Sequence, residues 1–127
     1  MLVIALIGGL IFARNASAPQ DATSSNAVAS PYDAFAKCIT DAGAKFYGAY
    51  WCSHCKSQKE LFQNSKELPY IECSTASGQG LLPVCAEAGI DSFPTWRFTD
   101  GSELSGEQSF EALAEKTSCT VPELKTE

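Results

Sequence analysis

Four consecutive residues carry the chemistry open to this sequence: Cys52, Ser53, His54 and Cys55. They follow an apolar, aromatic run and precede helix formers (Lys56, Gln58, Lys59, Glu60, Leu61), which places them at a helix start. The N-terminus of a helix carries about half a positive charge and unpaired N–H donors, and both stabilise a thiolate. The thiolate is the reactive form of cysteine, and a free thiol titrates at about 8.5. Cys55 comes one helical turn after Cys52, so its sulfur can reach back and close a bond. Cys55 and Phe62 share a face at i and i+7. That face should pack inward and leave Cys52 the more exposed sulfur. Cys52 is the expected nucleophile and Cys55 the resolving thiol. His54 adds a titratable donor between them. An imidazolium or N–H dipole favours the reduced pair over its disulfide, which makes the pair a stronger oxidant.

Other chemistries need residues the sequence does not offer in the right places. A structural zinc site takes four ligands, commonly two CxxC pairs or one pair with two histidines. Here there is one CxxC, and the sole histidine lies inside it. Haem attachment requires a histidine directly after the second cysteine, where this chain has Lys56. A purely structural bridge across four residues would constrain almost no loop. The pair therefore reads as a dithiol that cycles, with no metal and no organic cofactor expected. Phe93-Pro94-Thr95 stands before a strand pattern. Proline is the residue for which a cis peptide costs little, and a cis bond there would turn the strand's entry beside the sulfurs.

The elements that must hold these residues follow from periodicity. Tyr32, Phe35, Ala36 and Ile39 form one apolar helical face, with Gly43 as its stop. Ala44 to Trp51 reads as a buried strand and Cys52 to Phe62 as a helix. Pro69 to Cys73 is a short strand, Leu82 to Ala88 a short helix and Thr95 to Phe98 a strand. Asp100-Gly101 is a hairpin turn, with Ser102 to Leu104 as the returning strand. Phe110, Leu113 and Ala114 mark a last amphipathic helix. The order α-β-α-β-α-β-β-α predicts an α/β domain with a small mixed sheet flanked by helices.

Composition narrows the setting. The net charge of −6 lies wholly on residues 31–127, because Arg14 and Asp21 cancel in the first thirty. An acidic domain with no basic stripe is a poor nucleic-acid binder. Six cysteines, all between positions 38 and 119, point to oxidised pairs in an oxidising compartment. Leu2 to Ala13 is an apolar or glycine run, and Ala16-Ser17-Ala18 is a small-residue cleavage pattern. The run is shorter than the roughly 20 residues of a full membrane span. Residues 1–30 thus read as a signal or membrane anchor plus a flexible linker, and residues 31–127 as the folded domain. The expected location is extracytoplasmic, periplasmic or at the cell surface.

The pattern of a strand, Trp51-Cys52-x-x-Cys55 at a helix start, then Phe93-Pro94-Thr95 before a hairpin resembles the thioredoxin-like fold. Gly43-Ala44-Lys45-Phe46-Tyr47-Gly48-Ala49-Tyr50-Trp51-Cys52-Ser53-His54-Cys55, with Gln58-Lys59-Glu60-Leu61-Phe62, is more closely similar to the thioredoxin-like domain of bacterial vitamin K epoxide reductase homologues. Tyr70-Ile71-Glu72-Cys73, Cys85, Phe93-Pro94-Thr95-Trp96 and Leu104-Ser105-Gly106 continue the likeness, which covers roughly residues 33–117. The resemblance implies that Cys52 and Cys55 are the redox pair, Pro94 the cis-proline and Cys73–Cys85 a structural bridge. It also implies a membrane oxidoreductase of the vitamin K epoxide reductase type as redox partner, met here by a stand-alone domain. Thioredoxins proper carry a buried acid at the position of Phe46, and its absence weakens a reading as a cytosolic reductase.

Cys73 and Cys85 enclose a glycine-containing loop, and closing it would contribute about 3 kcal/mol in the chain-entropy model. Cys38 on the first helix and Cys119 after the last would pin the ends of the domain together, contributing about 4 kcal/mol. Four cysteines allow three pairings, and spacing alone leaves open free thiols or an electron relay at Cys38 and Cys119. Trp51 beside the nucleophile and Phe93 beside Pro94 are the expected substrate contacts. The function expected is thiol–disulfide exchange with cysteine-containing proteins. The competing expectation is a binding or chaperone-like domain whose CxxC is only a bridge.

Overall fold

The computed structural model describes residues 30–123, so the N-terminal segment read above as signal or anchor lies outside the described residues. Helix α1 (Pro31–Asp41) begins where Ser30 Oγ accepts the Tyr32 N–H at 3.2 Å, with proline in the first turn. It buries Phe35, Ala36 and Ile39, the face expected from spacing. Gly43 follows at φ +86, and a Cβ there would run into Thr99 Cγ2. Glycine tolerates both demands.

Next come β1 (Lys45–Gly48), α2 (Ser53–Leu61), β2 (Tyr70–Glu72), α3 (Pro83–Glu87), β3 (Thr95–Arg97), β4 (Glu103–Ser105) and α4 (Phe110–Thr117). The sheet order is β2-β1-β3-β4. Strand β1 runs parallel to β2 and antiparallel to β3, and β4 pairs antiparallel with β3. A parallel pair needs a crossover, and α2 supplies it. The result is the thioredoxin-like α/β arrangement, a four-stranded mixed sheet flanked by helices.

Most elements are a residue or more shorter than, or shifted from, their sequence patterns, and in two the hydrogen bonds show the cause. Strand β1 stops at Gly48 although the apolar run continues to Trp51. The Cys52 N–H donates to Ala49 O at 3.0 Å, so the chain turns out of the sheet to begin α2. Strand β4 starts at Glu103, because Asp100 Oδ1 captures the Ser102 N–H at 2.9 Å and its hydroxyl at 2.6 Å. Ser102 belongs to the turn.

Alternation along β1 divides the interior. Phe46 faces the larger core, stacked on Trp96 at 4.7 Å between ring centroids and edge-on to Tyr70 at 5.1 Å. Phe35, Phe62 and Phe110 complete it as a mutual aromatic cluster. Tyr47, on the opposite face, packs with Ile90 and the Cys73–Cys85 bridge. The second bridge, Cys38–Cys119, joins α1 to the segment after α4.

Gln58 is the polar side chain at the centre of this packing, 1% exposed. Its Oε1 accepts the Trp96 indole N–H at 3.2 Å and the Gln108 backbone N–H at 2.6 Å. Its Nε2 donates to Gln108 O at 3.1 Å. One amide thus ties α2 to β3 and to the loop before α4. Leaving a buried donor or acceptor without a partner costs about 1–3 kcal/mol. Gln58→Leu keeps the volume and strands three such groups. Urea unfolding of this variant should show a loss of about 2–4 kcal/mol, with the midpoint falling and the slope unchanged.

Candidate active site

Cys52 is the N-cap of α2. Its backbone is extended, at φ −78 and ψ 116, and its sulfur accepts the Cys55 N–H at 3.2 Å. A sulfur takes the place that a serine, threonine or aspartate oxygen fills at most helix starts. The turn from Ala49 fixes the backbone ahead of it, and Cys52 O accepts the Lys56 N–H at 3.1 Å behind it. The nucleophile predicted from sequence is thus held between a strand end and the first helical turn.

Cys55 lies one turn deeper. It is 1% exposed against 7% for Cys52, and both are free thiols. Burial, with the hydrogen-bonded Cys52 sulfur adding to it, pushes the Cys55 thiol up to about 12. Cys55 therefore holds its proton at neutral pH. Phe62 is fully buried on the same helical face.

Room for the Cys55 sulfur comes from Gly48. A Cβ built there would stand 3.0 Å from Cys55 Sγ and 2.7 Å from Tyr70 Cε2. Sulfur, phenol ring and strand backbone therefore meet at one point. Tyr70 and Glu72 are two residues apart on β2 and share a face, and the Tyr70 hydroxyl donates to Glu72 Oε2. Glu72 Oε1 accepts the Tyr50 N–H at 2.9 Å. Lys59, one turn after Cys55, lies over the Tyr70 ring at 3.5 Å. Gly48, Lys59, Tyr70 and Glu72 all fall within the stretches that carry the resemblance, but no sequence motif gives any of them a role. The alternation of Tyr70 and Glu72 is a signal for one shared face, but not for what that face meets.

The remaining predicted residues fall on two sides of Cys52. Trp51 is half exposed, its indole N–H donating to Ser74 Oγ at 2.9 Å. Its ring meets Phe93 edge-on at 5.9 Å. The two sequence motifs thus come together in space. The Phe93–Pro94 peptide is cis, Pro94 is buried, and Pro94 O accepts the Gly106 N–H at 2.8 Å. The Tyr50 hydroxyl donates to Ala76 O at 3.1 Å. The Cys73–Cys85 bridge holds the ends of the loop that carries Ser74 and Ala76, so it braces both exposed rings. On the other side, the His54 imidazole is 74% exposed, with Nδ1 3.6 Å from Glu107 Oε1. It faces the loop before α4.

Among the described residues no cluster of three or more histidine, cysteine, aspartate or glutamate side chains is placed to hold a metal ion. What the arrangement can do is thiol–disulfide exchange. After mild reduction, a brief iodoacetamide pulse at pH 7 should label Cys52 at least about tenfold faster than Cys55, given their burial and the raised Cys55 thiol. Peptide mapping reads this directly, and preferential labelling of Cys55 would reverse the two roles.

No family model matches the chain. The chain is 46% identical over 105 residues to the thiol-disulfide oxidoreductase LTO1 of Arabidopsis thaliana, an alignment covering 78% of this chain and 28% of that protein. The chain thus spans less than a third of the length of this curated relative.

Proposed function

We propose that this domain is a thiol–disulfide oxidoreductase that exchanges disulfides with protein thiols in an extracytoplasmic compartment. The observation that carries the reading is the capping geometry: Cys52 Sγ at the N-terminus of α2, with the buried Cys55 thiol one turn below. The printed name of the Arabidopsis relative supports the same chemistry. Two further disulfides fit an oxidising setting.

In the reducing direction, the Cys52 thiolate attacks a substrate disulfide. A Cys52–substrate bond forms, and the other substrate sulfur leaves with the electron pair. Cys55 then attacks the Cys52 sulfur, closes the internal disulfide and releases the second substrate sulfur. Oxidation of substrates runs the same steps backwards. The helix N-terminus and the Cys55 N–H face the sulfur on which negative charge collects. Trp51 and Phe93 offer apolar contact to the incoming segment, with Pro94 at the strand entry. No metal or organic cofactor takes part in the exchange. Renewal of the pair is assigned to a membrane quinone-linked oxidoreductase of the vitamin K epoxide reductase type, in keeping with the resemblance around the CxxC.

Replacing Cys55 with serine should leave attack intact and abolish resolution. Cys55→Ser should therefore accumulate Cys52-linked mixed disulfides, visible on non-reducing gels and by mass spectrometry, while Cys52→Ser should form none. A domain whose CxxC is merely a bridge would trap nothing in either form and would not accelerate insulin reduction. His54 is assigned the tuning of the pair towards oxidation. His54→Ala should shift the equilibrium with glutathione to a more negative potential, where about 30 mV corresponds to 1.4 kcal/mol. An unchanged potential would leave His54 as a surface partner of Glu107.

A further inference from the structure

Resolution requires a nucleophilic Cys55, yet Cys55 is the most deeply buried sulfur of the pair and holds its proton at neutral pH. The proton must leave as the sulfur attacks. The strand position that holds a buried acid in thioredoxins proper carries Phe46 here, stacked in the aromatic core. The groups around the Cys55 sulfur are Cys52 at the N-cap of α2, Lys59 on α2, the backbone of Ala49, and the Tyr70 ring from β2. Tyr70 reaches from the sulfur's side at Gly48 to the carboxylate of Glu72.

We propose that Glu72, acting through the Tyr70 hydroxyl, is the positioning residue that accepts the Cys55 proton during resolution. The proposal rests on the oxidoreductase reading above and names the groups that serve its second step. In the mixed disulfide the Cys55 thiol gives its proton to the Tyr70 oxygen, a hydrogen bond that the free dithiol does not make, while Tyr70 passes its own to Glu72. The electron pair left on the Cys55 sulfur attacks Cys52. A Cys52–Cys55 bond forms, the Cys52–substrate bond breaks, and the substrate leaves as a thiolate. Burial, then the Glu72 hydrogen bond, hold the Tyr70 phenol above its ordinary range, so it relays a proton and is not itself consumed as an acid. Lys59 over the ring favours negative charge on Cys55. A cavity of about 370 Å³ lined in part by Lys59, Leu68 and Tyr70 opens the Lys59 side of the ring to solvent.

Glu72 also holds the other half of the site. One oxygen binds the phenol beside Cys55, and the other binds the N–H of Tyr50, two residues before Cys52. Glutamine keeps an oxygen for Tyr50 but loses the charge and basicity offered to Tyr70. Glu72→Gln therefore separates proton transfer from support of the Cys52 turn. Tyr70→Phe tests the same path with the ring and its packing retained.

The test is stopped-flow reaction of the reduced full chain with 5,5′-dithiobis(2-nitrobenzoate) across pH 5–9. Cys52 attack releases one thionitrobenzoate, and Cys55 attack on the resulting mixed disulfide releases a second. In Glu72→Gln and Tyr70→Phe, the second phase should slow by about tenfold or more at pH 7, the low end of what a positioned base contributes. Its rate should then climb about tenfold per pH unit, tracking the free thiolate alone. The wild-type profile should be flatter, and the first phase should stay within about twofold. A second phase unchanged in both variants, or both phases slowing together with unaltered pH profiles, would overturn the assignment. A wild-type chain that releases no second thionitrobenzoate would instead remove the oxidoreductase reading itself.

Discussion

A sulfur that caps a helix must satisfy two demands at once, and much of the local architecture follows from them. It has to sit where the first free N–H groups of α2 converge, and it has to remain reachable from outside. The Cys55 N–H to Cys52 Sγ hydrogen bond meets the first demand. The turn at Ala49 meets the second, because it lifts the chain out of the sheet at the strand end, where loops leave an opening. A β1 that continued to Trp51 would have carried Cys52 away from the helix start. The short strand is therefore part of the chemistry.

Two cores hold that geometry from opposite faces of the sheet. On one, Phe46, Phe62 and Trp96 pack around the inner face of α2, and the Gln58 amide locks the helix to β3. On the other, the Cys73–Cys85 bridge and Ile90 support the loop beneath Trp51 and Tyr50. The bridge near the sulfurs and the bridge between the chain ends thus have different consequences. Cys38–Cys119 closes the long separation of 81 residues and acts on the unfolded chain. Cys73–Cys85 closes only 12 and acts on the rim of the site.

The pair is asymmetric because its surroundings are. Cys52 stands beside the exposed rings of Tyr50 and Trp51, while Cys55 is buried where only a glycine at position 48 leaves room between its sulfur and the Tyr70 ring. Burial of a thiol disfavours its charged form. The inner sulfur is thus protected until the outer one has reacted. The same burial means that a proton must leave when Cys55 reacts, and polar groups from α2 (Lys59) and from β2 (Tyr70 and Glu72) lie on that side of the helix.

Spacing along the chain was enough to place Cys52 and Cys55 at a helix start, to order the eight elements and to predict an inward face through Cys55 and Phe62. These are local properties, governed by helix periodicity, alternation and turn chemistry over a few residues. The meeting of Trp51 with Phe93, the approach of Gly48 to Cys55, and the reach of the Glu72 carboxylate back across 22 positions to Tyr50 are contacts between elements that local spacing does not reveal. Gly48 had no signature, since an ordinary backbone conformation and a small side chain reveal nothing until the neighbour across the gap is known. His54 had a strong one, being the sole imidazole between two sulfurs. A helix start nevertheless turns successive side chains about 100° apart, and that rotation carries His54 out towards Glu107. What the sequence by itself determined is the reactive pair and the element that carries it. Which groups surround each sulfur was decided by the pairing of β1 with β2 and β3, because only sheet register brings distant residues to the same side of one helix.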